Sequence, residues 1–395
     1  MKARLYKKYR IHHRGCLLFI GMLLCGSCVE EFQPDTEFFE SALVVEAVIT
    51  DEVKEQEIIL SNTFRFDEQE PQPVQNANVR IIDNEGTEYE FDEVAPGRYL
   101  SIETFGAVPE KEYTLRIATE NGTRYSSETA QLTQGAVVDD VYAVATTNQD
   151  NVEGVSLRID TFDPSGNSRY YRFEYEETYK IIAPKWVNVD AVVENGVVSF
   201  QPKTSEQQTC YNTMPSNKIT VASTNGQAED RLTGFTVRFI EKDNFIIAHR
   251  YSILVHQYVI SPEAYRYYNN LADLSTSESI FSENQPGFIE GNIASANGNE
   301  KVLGYFEISS SSSQRIFFNH GDFFPDDFSL SYPSSCEVAA PEAMVAVPLL
   351  RRGGTKFLSY NTSPDPFEGP YNLVERVCGD CTVLGDNVVP DFWEE

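Results

Sequence analysis

The chain has 395 residues, 41% of them hydrophobic, and a formal net charge of −29. This hydrophobic share excludes global disorder, and the length exceeds the roughly 250–300 residues at which a single core stops growing. Six of the 31 basic residues precede the first acidic residue, Glu30, so the remainder has 25 basic against 60 acidic residues, which excludes nucleic acid as a partner. The acidic excess favours solubility at a crowded surface; the alternative is binding of cations or basic ligands.

Residues 1–27 are predicted to be a signal peptide, with a basic start, an apolar stretch and small residues before Cys28. The apolar stretch is shorter than the roughly 20 residues that span a bilayer. The letters LCGSC at 24–28 resemble a bacterial lipoprotein cleavage box, in which Cys28 is lipidated and becomes the first residue. Acyl chains on Cys28 would hold the protein on a membrane, with residues 28–41 as a tether. The alternative is an ordinary signal peptide or a weak membrane helix.

Residues 42–134 are predicted to form a β-sandwich of Ig-like or carboxypeptidase-regulatory type. In ANVRIIDNEGTEYEF, apolar residues alternate with polar ones on both sides of the turn DNEG. In KEYTLRIATENGTRYSS, the same alternation precedes the turn ENG. Short alternating strands about ten residues apart are typical of all-β sandwiches.

Residues 135–395 are predicted to form a larger β-rich domain with one short helix and an irregular C-terminal tail. The helix is expected at about 262–274, because Ser261 suits the N-cap and Pro262 the first helical position. The segments KVLGYFEIS and QRIFF are expected to pair as strands, with the serine-rich run 309–313 as their turn. The fold class is therefore mainly β.

After removal of the signal peptide, four cysteines remain, namely Cys210, Cys336, Cys378 and Cys381. An even number in an oxidising compartment indicates two disulfides, with three possible connectivities. A zinc site and a redox Cys-x-x-Cys at 378–381 are the alternatives. A redox pair normally opens a helix, which lowers the pKa of the first thiol, and the following TVLGDNVVPDFWEE is not a helical sequence.

The sequence contains no P-loop, nucleophile elbow, HExxH or dinucleotide fingerprint, so no catalytic residue or cofactor is predicted and the protein is not expected to be an enzyme. The segment HGDFFPDDF at 320–328 supplies weak metal-ligand candidates in His320, Asp322, Asp326 and Asp327. The alternative is a solvated loop with its aromatic side chains in the core. A hydrolase with an unrecognised carboxylate pair is the least favoured function.

Two further groups of polar residues have a structural and a metal-binding interpretation. Asp160, Asp163 and Asn167 could hold calcium, but without the full EF-hand spacing they favour a turn. His249 and His256 are seven residues apart on a predicted strand. They should therefore lie on opposite faces and share no metal.

Several stretches, taken in order, resemble one family: LVVEAVITD, ANVRIIDNEGTEY, DPSGNSRYYRF, RYSILVHQYVISPEAYRYY, QPGFIEGNI, VLGYFEISS with QRIFF, and CGDCTVLGDNVVPDFW. The family is domain of unknown function 4249, which comprises outer-membrane lipoproteins of Bacteroidota. The four cysteines look like those of the family. Val29, Glu30 and Glu31 resemble the acidic export tag that follows the lipidated cysteine in surface-exposed lipoproteins of Bacteroidota.

The family resemblance implies a secreted lipoprotein of the outer membrane that accompanies a TonB-dependent transporter, and the export tag favours the face toward the cell surface. The expected function is therefore a lipid-anchored accessory or ligand-binding protein. The alternative is a structural or adhesive protein of the cell envelope whose partner is another protein or a glycan.

Overall fold

The computed structural model describes residues 41–64, 70–133, 135–276, 289–298, 300–327, 330–363 and 365–395. The signal peptide, Cys28 and all but the last residue of the tether lie outside these ranges. Most ordered elements of the described residues are β-strands, which confirms the mainly β fold class.

The first nine strands arise from the alternating sequence after the tether. They are β1 (Leu43–Thr50), β2 (Glu57–Asn62), β3 (Gln72–Pro73), β4 (Asn78–Asp83), β5 (Glu88–Ala95), β6 (Arg98–Ser101), β7 (Glu112–Ala118), β8 (Arg124–Ser127) and β9 (Ala130–Gln131). In β4, Val79 and Ile81 are buried and their neighbours face outward, as a half-buried strand requires. The turn DNEG joins β4 to β5, with Gly86 at a φ of 87° that favours glycine.

The remaining strands form the larger part of the chain. They are β10 (Val138–Thr147), β11 (Glu153–Asp163), β12 (Tyr170–Ile182), β13 (Val189–Glu194), β14 (Val197–Pro202), β15 (Thr209–Pro215), β16 (Thr220–Ser223), β17 (Asp230–Glu241), β18 (Arg250–Val259), β19 (Ile293–Ser295), β20 (Val302–Asn319), β21 (Thr355–Tyr360) and β22 (Tyr371–Glu375).

Four α-helices are present among the described residues: α1 (Pro262–Thr276), α2 (His320–Phe323), α3 (Ala343–Arg352) and α4 (Arg376–Gly379). Two 3-10 turns cover Phe245–Ile247 and Cys381–Val383. The expected helix is α1, and the Ser261 hydroxyl caps it by accepting from the backbone N–H of Ala264 at 3.1 Å. No helix of the described residues is long and apolar enough to cross a membrane. The C-terminal tail is more regular than expected, because it contains α3 and the hairpin β21–β22.

The predicted turn at 309–313 is wrong, because β20 runs without interruption through the serines. Its first half pairs in parallel with β1, and its second half pairs antiparallel with β18. Each serine from Ser310 to Ser313 has a partner on β18, so the backbone hydrogen bonds that a turn would break are used in the sheet.

The main sheet has the strand order β15-β12-β18-β20-β1-β2-β6-β5-β4-β7-β8-β19. Its buried apolar side chains form two large clusters. One joins β1, β2 and β4–β8 with β19 and the start of β20, and the other joins β10–β12 with β15–β18. The division into domains at residue 134 stays a prediction; the strand that follows the tether lies in the middle of this sheet.

Candidate ligand-binding site

A cavity of about 330 Å³ lies between helix α1 and one face of the main sheet. We call it the tyrosine cavity, after Tyr267 and Tyr268 of α1 and Tyr305 of β20. Glu46 of β1 and Arg172 of β12 also line it. Its volume is at the lower end of the range of small-molecule sites.

Strand register explains why these side chains meet. In the parallel pair β1–β20, Glu46 lies opposite Tyr305 and Val48 lies opposite Glu307. Side chains two residues apart on a strand share a face, so both pairs face α1. The helix supplies Tyr267 and Leu271, which are four residues apart and therefore lie on one of its faces.

Arg172 forms the floor of the cavity and is only 4% exposed. It donates to Glu307, which is 2% exposed, at 3.3 Å, and it also bonds to Glu174. Its guanidinium lies between the rings of Tyr258, at 4.4 Å, and Tyr268, at 4.9 Å. Burial opposes the charge, yet Glu307, Tyr268 and Glu174 raise the pKa of Arg172 well above its usual value. The arginine therefore stays a cation, stabilised by carboxylates and aromatic faces.

Glu46 has a different environment at the edge of the same cavity. Desolvation raises the pKa of its carboxyl, and the negative charges of Glu174 and Glu57 raise it further. Among the described residues it has no ion pair or hydrogen-bond partner through its side chain, whereas Glu57 pairs with Arg98. Burial, and after it Glu46, raises the pKa of Tyr267 to about 12, so the phenol is neutral at pH 7. Glu46 is thus a carboxylate on an exposed strand position that lacks a counter-ion among the described residues.

A second cavity, of about 460 Å³, lies where β12, β18 and α2 meet. We call it the histidine cavity, because His249 and His320 both line it. His320 is 7% exposed, and neither ring nitrogen has a partner among the described residues. Burial lowers the pKa of His249, and the charges of Lys180 and His320 lower it further. The neighbouring Lys180 donates to both carboxylate oxygens of Glu395 at 2.9 Å.

The four metal-ligand candidates are not gathered around one point. Asp322 accepts from the backbone N–H of Asn319 at 2.7 Å and so caps α2, and Asp327 pairs with Lys242 at 3.2 Å. His320 packs against Phe324. Asp326 belongs to no metal cluster, since the described residues contain no group of three or more His, Cys, Asp or Glu side chains that could hold an ion. A metal role for this segment stays a prediction from the sequence.

The preferred interpretation of the DTFDPSGN segment as a turn is confirmed. One oxygen of Asp163 accepts from the backbone N–H and hydroxyl of Ser165, and the other accepts from Asn167 and Ser168. These bonds lower the pKa of Asp163 despite its burial. Asp160 accepts from the backbone N–H of Gly234 at 2.6 Å instead. The two carboxylates therefore organise the backbone separately.

The two histidines near β18 are also apart. His249 lines the histidine cavity, whereas His256 lies opposite Glu174 on β12 and stacks on Tyr258. No pattern in the sequence indicates that His249 and His320 border one cavity. Their approach depends on the antiparallel pairing of Arg250 with Asn319.

The prediction of two disulfides is confirmed, and the bonds are Cys210–Cys381 and Cys336–Cys378. Each cysteine of the CGDC segment is joined to a partner outside it, so the segment is neither a redox pair nor a zinc knuckle. All four sulfurs belong to buried residues. The bonds hold the C-terminal segment to β15 and to the loop before α3.

A sequence model of the family described as Domain of unknown function (DUF4249) matches residues 29–315. A comparison with curated proteins finds no match. Among solved structures, the chain is similar to a DUF4785 family protein from Legionella pneumophila subsp. pneumophila str. Philadelphia 1, at 9% identity and a TM-score of 0.18. That similarity covers 54% of this chain and 51% of the other, so the chain spans about half the length of that relative.

Proposed function

The chain belongs to the DUF4249 family, and we propose that it is a lipid-anchored outer-membrane protein that binds a ligand beside a TonB-dependent transporter. The observation that carries the binding role is the tyrosine cavity. The cleavage box at Cys28 supports the anchor, and the family resemblance supports the outer membrane and the transporter.

The tyrosine cavity has the composition of a ligand site. Such sites are concave and largely apolar, with a few placed polar groups that orient the ligand. Here tyrosine rings and Leu271 provide the apolar walls, and Glu46 and Arg172 provide charge. The ion pairs of Arg172 with Glu174 and Glu307 fix the floor before any ligand arrives. A preformed floor lowers the entropic cost of binding.

The anchor is tested by mass spectrometry of the mature N-terminus in the Cys28→Ser variant. We expect the wild-type protein to begin at an acylated Cys28 and to sediment with the outer membrane. Cys28→Ser should lose both properties. Cys25→Ser is the matched control, because Cys25 is removed with the signal peptide and its loss should leave acylation intact. An unacylated, full-length wild-type N-terminus would refute the anchor.

The transporter association is tested by affinity purification of the wild-type protein after extraction in mild detergent. We expect a TonB-dependent barrel to co-purify. Recovery of other lipoproteins or matrix material without a barrel would favour the structural or adhesive alternative.

A further inference from the structure

The charges around the tyrosine cavity are not balanced. Arg172 faces two carboxylates, the buried Glu307 and the half-exposed Glu174, so these three groups together carry one negative charge in excess. Glu46 adds a second and has no cation partner among the described residues. Glu46 and Lys218 both line the cavity at exposed positions, where water screens their opposite charges to a similar degree. Counting Lys218, the carboxylates of the cavity and its floor outnumber the cations by one.

The aromatic walls suit a positive group. Arg172 shows this directly, since its guanidinium is held between two tyrosine rings at 4.4 and 4.9 Å. Tyr267 and Tyr305 pack on each other, with ring centroids 5.4 Å apart, and line the cavity on the side where Glu46 lies. A cation near an aromatic face is attracted by its negative π-cloud, and the attraction grows as water is excluded.

We propose that the tyrosine cavity binds an organic cation, an ammonium or guanidinium group, with Glu46 as its counter-ion and Tyr267 as its aromatic wall. This rests on the proposed ligand-binding function and names the chemical class of the ligand. The cation comes from a free amine or from a basic side chain of a peptide. Both carry the same positively charged group that the cavity would recognise. The acidic surface of the protein would draw either of them toward the cavity.

Two other ligand classes fit less well. An anion would approach Glu46 and Glu174, and its attractive partner would be the exposed Lys218, because Arg172 is buried and already bonded to two carboxylates. A neutral polyol would leave Glu46 without a counter-ion. The raised pKa of Glu46 has like charges among its causes, and a bound cation would relieve that repulsion.

The test uses isothermal titration calorimetry on the full mature protein in detergent. The probes are cadaverine, 1,5-pentanediol and glutarate, which share a five-carbon chain and differ in charge. We expect cadaverine to bind, and the diol and the dianion to bind at least tenfold more weakly. Equal binding of the diol, or preferred binding of glutarate, would overturn the proposal. Trilysine amide is titrated in the same way. Tighter binding of trilysine amide than of cadaverine would indicate a peptide as the source of the cation, and weaker binding would indicate a free amine.

Three variants locate the site. Glu46→Gln keeps the shape and removes the charge, so cadaverine should bind roughly tenfold more weakly. Lys218→Gln removes a repulsive charge at the mouth and should tighten binding about twofold. Glu110→Gln, at an exposed turn outside the cavity, is the matched control and should bind like the wild type. Unchanged affinity in Glu46→Gln would place the cation elsewhere.

Experiments on the same protein preparation show whether the cation inference or the proposed function has failed. Absence of cadaverine and trilysine binding, together with an acylated Cys28 and a co-purifying barrel, would reject the organic cation and leave the accessory role standing. Cation binding that depends on Glu46 without a barrel or acylation would support the ligand class and reject the envelope role.

Discussion

The two cavities differ in how the chain treats its own charges. In the histidine cavity, Lys180 is neutralised by Glu395, and Asp327 by Lys242. In the tyrosine cavity, Arg172 pairs with Glu174 and Glu307, whereas Glu46, at an exposed position, has no ion pair among the described residues. An unpaired carboxylate beside aromatic rings at the edge of a cavity is available to a cationic partner from outside.

The largest effect is expected where the C-terminal segment is fastened beside the histidine cavity. The disulfide Cys210–Cys381 closes a loop with a sequence separation of 171 residues. Its loss in a Cys210→Ala/Cys381→Ala variant should lower the free energy of unfolding by about 4 kcal/mol. The bond Cys336–Cys378 closes 42 residues, and its removal should cost about 1 kcal/mol less. Urea unfolding of both variants measures the difference. Equal or reversed costs would contradict the loop-length argument.

The second effect concerns the floor of the tyrosine cavity. Arg172→Met leaves Glu307 buried without a cation, and the expected loss is about 3 kcal/mol in the free energy of unfolding. Adding Glu307→Leu to the same chain should restore most of the loss, since no buried charge is then left alone. A double variant as unstable as the single one would show that the arginine acts through packing rather than through charge.

A third test measures how pH changes ligand binding at the tyrosine cavity and the stability of the fold. The pKa of Glu46 is raised above its ordinary value of 4.5 by desolvation and then by Glu174 and Glu57. Cadaverine binding should therefore weaken as pH falls through the raised pKa, because Glu46 becomes neutral and offers no counter-ion. Over the same window the free energy of unfolding should rise, since the folded state holds this proton more tightly than the unfolded state.

Comparison with Glu46→Gln isolates this carboxyl from the charged and phenolic groups around it, which are Arg172, Lys218, Glu174, Glu57, Tyr267, Tyr268 and Tyr305. The variant should lose that part of both pH dependences. An unchanged pH profile of cadaverine binding would assign the titration to a neighbour.

The smallest effect is expected in the histidine cavity. Lys180→Gln breaks a pair whose Glu395 side chain is 66% exposed, so the cost in unfolding free energy should stay below about 1 kcal/mol. Cadaverine binding should not change. A large stability loss there would remove the distinction between the two cavities.

Much of the local structure follows from the sequence, because it depends on neighbouring residues. Alternation predicted β4 and β7, and the cap at Ser261 predicted α1. The disulfides were expected from cysteine number, but their pairing depends on the distant approach of β15 to the C-terminal segment.

The tyrosine cavity could not be predicted, since Glu46, Arg172 and Tyr305 come from three distant parts of the chain. They meet because β1 pairs in parallel with β20, and no local pattern encodes a pairing of Leu43 with Val302. One signal was present: Arg172 interrupts the aromatic run RYYRFEY within a long strand. A charge at a position buried in the sheet needs a partner on a neighbouring strand.

The parallel pairing of β1 with β20 also has a mechanical consequence. A pull on the chain before Leu43 acts along β1, whose eight residues are all in register with β20. Evenly spaced, slanted hydrogen bonds then share the load in shear instead of opening one after another. If the protein is anchored through Cys28, force from flow or from a moving transporter would reach β1 first. The shear geometry would then resist separation of β1, which carries Glu46, from β20.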